Sequence, residues 1–136
     1  MTRKRPRVPR PLVDTVRLAI DRASLLSATQ QADLLRPGSA AVEHLARGQG
    51  SVDVWQQAAD VCNLAEALCE LRIANNLAST VTEAQAALGA VMERVKAGRG
   101  WTLYGPEIAA LREGLWLYRT QISLCSAGEH VRAIEL

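Results

Sequence analysis

The stretch from Ser51 to Arg72 runs 22 residues without a Gly or Pro and constrains the fold more than any other part of the chain. Val54, Trp55, Ala58, Val61, Cys62, Ala65, Leu68 and Cys69 recur at steps of three and four, which places them on one broad face of a helix. Gln56, Asp60, Asn63, Glu66 and Glu70 fall on the other side. Ser51 offers an oxygen to the first turn, and Asp53 puts negative charge near the positive end of the helix dipole. A helix of this length spans about 33 Å, the width of a small domain. The other segments are expected to pack around it as around a spine.

The remaining segments carry the same period. Leu12 to about Leu26 reads as a first helix with Leu12, Val16, Ala19, Ile20 and Ala23 as its apolar stripe. Ser27 with Gln30 forms a capping box for a short helix over 28–36. Pro37-Gly38 predicts a turn, after which Ser39 caps a third helix to about Arg47, anchored by Val42 and Leu45. Gly48 and Gly50 close it. These two short helices have the outline of a helix-turn-helix, but the second offers only Glu43, His44 and Arg47 as polar reach, and Glu43 repels phosphate. Two packing helices are therefore expected.

Beyond the spine, Asn75-Asn76 marks a turn, and Thr80 with Glu83 reads as a capping box. Val81, Ala84, Leu88, Val91, Met92 and Val95 carry that helix to Gly98 and Gly100. Trp101 to Tyr104 predicts an extended connector laying Trp101 and Leu103 over the helices. Pro106 and Glu107 open the last long helix. Its seam is Ile108, Leu111, Leu115, Tyr118, Ile122 and Cys125. Gly128 is expected to kink or end it, with Val131 and Ile134 docking a final turn back. The fold class is thus all-α: an antiparallel helical bundle over 12–136, with short N-terminal helices and two to three long helices.

Phe is absent and aromatics are few, so the core must be aliphatic. Of 16 Lys and Arg residues, Arg3, Lys4, Arg5, Arg7 and Arg10 fall in the first ten positions, which leaves 11 against 14 acidic residues in the body. With Pro6, Pro9 and Pro11 interspersed, residues 1–11 read as a basic flexible arm. These five cations are the candidate nucleic-acid contacts, since basic arms neutralise phosphates and release counterions. Cys62 and Cys69 stand about 10 Å apart along one helix, too far for a disulfide, so reduced thiols and a cytoplasmic location are expected. No apolar run reaches the ~18 residues of a membrane span, so none is expected.

No catalytic, cofactor or metal site is expected. His44 and His130 lie far apart in sequence and lack a nucleophile signature. The Cys residues have no paired spacing with a His. The last helix carries a second apolar line, Leu117 and Leu124 flanked by Trp116 and Tyr118, and these four form the candidate interface. The expected activity is protein–protein contact, with a homodimer built on that helix. The alternative is a nucleic-acid-binding accessory or regulatory protein that grips the backbone with its arm.

A string of residues adds a resemblance. Leu26-Ser27, Asp33-Leu34-Leu35, Pro37, His44-Leu45, Gly48 and Trp55, followed by Gly100-Trp101, Leu103, Gly105 and Glu107, resembles small uncharacterised helical proteins carried by bacterial phages, prophages and plasmids. The resemblance covers most of the chain after the arm. It implies an accessory protein of a mobile element and transfers no site residues.

Overall fold

The computed structural model describes residues 12–136; of residues 12–15, 17 and 18 it describes the backbone alone. The chain is all-α. Its helices are α1 (Leu12–Ala23), α2 (Ala28–Ala46), α3 (Val52–Glu70), α4 (Ala78–Lys96), α5 (Gly105–Leu124) and α6 (Ala127–Glu135), with a short 3-10 turn at Asn75–Leu77. The one β-type contact among the described residues is an isolated antiparallel bridge between Leu25 and Ser126.

The spine expectation holds. Ser51 Oγ accepts from the Val54 N–H at 3.2 Å and caps α3. Ala58, Val61, Cys62, Ala65 and Leu68 are buried along one face, and α3 packs against α2, α4, α5 and α6. The core has two parts. One gathers Leu68, Ile73, Val81, Leu117, Tyr118 and Ile122 at one end of α3. The other gathers Val42, Leu45, Ala58, Cys62, Leu88 and Leu111 at the other end. Leu115 packs against both.

The expected break at Pro37-Gly38 does not exist. Residues 28–46 form one continuous helix with Pro37 inside it. Proline in a helix interior removes a hydrogen bond and costs about 3 kcal/mol. Here Pro37 and Asp33, whose carbonyl loses that bond, are both exposed residues. The next residue holds the helix together. Gly38 is buried so close to α3 that a Cβ there would stand 2.3 Å from Val61 Cγ2. Leu34 and Leu35 dock on one core cluster, and Ala41, Val42 and Leu45 on the other. Tertiary packing thus overrides the local breaker, and the helix-turn-helix outline goes with it.

Other boundaries shift for local reasons. α1 ends at Ala23, three residues earlier than expected. α4 begins at Ala78, directly after the 3-10 turn, so Thr80 lies inside the helix and caps nothing. The link between α3 and that turn places Arg72 and Ala74 in the left-handed region, at φ 64° and 56°. Each such residue costs on the order of 1–2 kcal/mol. Ile73 between them is buried, which pins the strained backbone. α4 and α5 also pack closely: a Cβ on Gly114 would stand 2.8 Å from Ala84 Cβ. Among the described residues, no helix is long and apolar enough to cross a membrane.

Candidate interaction surface

The last long helix does not run on to Gly128. It stops at Leu124, Cys125 adopts an extended conformation, and a new helix starts. Ser126 Oγ accepts from the Glu129 N–H at 3.1 Å, while Glu129 Oε1 accepts from the Ser126 N–H at 2.8 Å. This reciprocal box folds α6 back over α3. The residues that bury themselves in doing so are His130 and Ala133; Val131 and Ile134, expected to dock, are exposed.

Three buried polar side chains hold this end of the molecule together. Tyr118 Oη and His130 Nε2 are hydrogen-bonded at 2.9 Å, joining α5 to α6. Burial pushes the Tyr118 phenol up to about 12 and lowers the His130 imidazole, so both are neutral at pH 7. Gln121 Nε2 donates to the carbonyls of Ala65 at 3.0 Å and Ile73 at 3.1 Å, with Cys69 Sγ nearby at 3.3 Å. It ties α5 to the strained link after α3. Its Oε1 has no hydrogen-bond partner. Cys125 is fully buried beside this group, and burial raises its thiol. Neutral, enclosed groups of this kind fasten helices; they offer no thiolate and no open imidazole to a substrate.

At the opposite end, Arg94 clasps the connector over 97–104. Its guanidinium pairs with Glu107, donates to the Thr102 carbonyl at 3.1 Å and lies over the Tyr104 ring at 4.4 Å. Glu107 Oε1 also accepts from the Tyr104 N–H at 2.8 Å. The ion pair holds the Glu107 carboxyl below the usual carboxylate range. Trp101 packs onto the second core cluster as expected, and Trp55 Nε1 donates to the Leu88 carbonyl at 2.9 Å. These aromatic groups are structural. All three Cys are free, and no group of His, Cys, Asp or Glu among the described residues is arranged to hold a metal.

The four candidate interface residues separate. Leu117 and Tyr118 are fully enclosed within this chain and leave the set, because α5 turns that side toward α3 and α6. Trp116 and Leu124 stay on the surface, 51% and 57% exposed. The arm cations Arg3, Lys4, Arg5, Arg7 and Arg10 lie outside the described residues.

α1 and α6 carry further exposed apolar side chains. Every α1 side chain that is described is exposed, including Val16, Ala19, Ile20 and Ala23. Ile20 is 60% exposed, and Ile134 of α6 is 62% exposed. α1 packs against α6, and the Leu25–Ser126 bridge locks the two together. Leu25 and Val131 continue the exposed apolar surface. Helices of 12 and 9 residues are marginal in water without packing. This pair leaves Val16, Ile20, Val131 and Ile134 in solvent. Comparison with protein-family models, curated proteins and solved structures finds no match to this chain.

Proposed function

We propose that this chain is a non-enzymatic protein–protein interaction module that pairs with a second copy through the α1–α6 face. In this reading the long helices form an antiparallel bundle that serves as the scaffold, and α1, α6 and Leu124 of α5 supply the contact. The observation that carries it is α1 itself, an amphipathic helix whose described apolar residues are all uncovered. A cytoplasmic accessory role on a mobile element belongs to the same proposal and rests on the resemblance alone.

Light scattering tests the assembly. The wild-type chain is expected to show a dimer mass at micromolar concentration. The double variant Ile20→Asp, Ile134→Asp is expected to run as a monomer with unchanged helical circular dichroism, because both side chains are already in solvent. Two like charges set into an apolar contact weaken it by several kcal/mol. A wild-type chain that stays monomeric at high micromolar concentration overturns the reading.

A further inference from the structure

A groove of about 560 Å³ runs between the outer face of α3 and the end of α6. Leu64 of α3 and Ile134 of α6 give it apolar walls, while Asp60, Glu66 and Glu70 line it with negative charge. Among the described residues, no Lys or Arg borders it. The ion pairs found among the described residues are Arg36–Asp33, Arg94–Glu107 and Arg112–Glu43, and none of them involves these three carboxylates. Such a groove suits an occupant that is extended, strongly cationic and partly apolar.

The chain carries a segment of that description. Residues 3–10 read Arg-Lys-Arg-Pro-Arg-Val-Pro-Arg. Pro6 and Pro9 favour an extended backbone and remove two donors that would otherwise need partners, and Val8 supplies one apolar side chain among the cations. The segment also has the reach. It precedes α1, whose last residues are fixed to the start of α6 by the Leu25–Ser126 bridge and by the Ala127 N–H donating to the Ser24 carbonyl at 3.0 Å. α1 is about 18 Å long and α6 about 13 Å, while eleven extended residues span up to about 36 Å. The start of α1 therefore stands at most about 31 Å from the end of α6, a distance that the leading residues of the segment, beginning at Arg3, can span.

We infer that the groove between α3 and α6 is occupied by the chain's own basic segment, residues 3–10. Tethering makes the association intramolecular, so the segment experiences an effective concentration in the millimolar range. The contact screens five cations from other anions until a stronger polyanion displaces them. The groove shares Ile134 with the α1–α6 surface, but its test rests on Glu66 and Glu70, so either proposal can fail without the other.

The test uses a fluorescently labelled peptide of residues 1–11, followed by anisotropy. Its partners are the full chain, a chain lacking those residues, and the truncated chain carrying Glu66→Lys and Glu70→Lys. The truncated chain is expected to bind the peptide, and raising salt from about 50 to 200 mM is expected to weaken binding several-fold. The full chain is expected to bind at least about tenfold more weakly, because its own segment fills the groove. The charge-reversed chain is expected to lose at least about tenfold, with Glu70→Gln giving a smaller loss in the same direction. Both carboxylates are exposed, and circular dichroism confirms that the variants fold. The proposal is overturned if the truncated chain ignores the peptide, if charge reversal leaves binding unchanged, or if the full chain binds as tightly as the truncated one.

Discussion

Tyr118→Ala is expected to lower the unfolding free energy by about 3–5 kcal/mol, the range for deleting a fully buried aromatic ring. Tyr118 is the largest of the fully enclosed side chains, it packs in the cluster with Leu68 and Ile122, and its hydroxyl is the partner of His130. The loss has two separable parts. Tyr118→Phe keeps the ring and removes only the hydroxyl, which leaves the buried imidazole short of one partner and is expected to cost about 1–3 kcal/mol. Urea unfolding of both variants measures the two parts. A Tyr118→Phe chain as stable as wild type shows that the hydrogen bond is not what fastens α6.

The same pair gives the molecule a pH dependence of known sign. Burial lowers the His130 pKa in the folded state relative to the unfolded chain. The unfolded chain therefore takes up the proton first as pH falls below about 6.5. The stability that neutral His130 contributes is fully present above that pH and is lost on the way down to its folded value. Unfolding curves between pH 7 and 5 are expected to show this decline in wild type and a flatter profile in His130→Gln.

Gln121→Ala is expected to cost about 3 kcal/mol, from the cavity it leaves and from the Ile73 carbonyl it strands. Ile73 is flanked by the two left-handed residues Arg72 and Ala74, so the amide of Gln121 holds down the most strained backbone of the described chain. Gln121→Leu is expected to cost less than half as much. It fills the space and removes an Oε1 that has no partner in the native fold. If the two substitutions are equally costly in urea unfolding, the donor bonds from Nε2 outweigh packing. If both are near neutral, the link after α3 is held by Ile73 alone.

The parts of this fold that could be read from residue order are those where local rules and tertiary packing agree. α3 and the start of α5 follow directly from apolar spacing, the Ser51 cap and the Pro106-Glu107 opening. α2 defies its local signals, because Pro37-Gly38 predicts a turn. Its helical state depends on Val61 and Leu115, far along the chain, meeting a residue without a side chain. α6 was obscured for the opposite reason: its signal was present in Ser126 and Glu129, but the seam through Ile122 and Cys125 suggested that α5 continued. The candidate interface was half legible. A second apolar line on α5 was visible, yet which of its members face inward depends on the reversal at Cys125 that brings His130 onto Tyr118. Gln121 left a trace that could have been followed, a single amide in line with Leu117 and Cys125 at four-residue steps.

α2 also bears on the order in which the chain assembles. A proline at its centre means that a peptide of residues 27–47 has little reason to be helical across that point on its own. Its rod-like continuity is borrowed from Val61 and Leu115, so it cannot be an early, self-supporting unit. α3 and α5 supply the template, so a peptide of residues 27–47 alone is expected to show little helical circular dichroism.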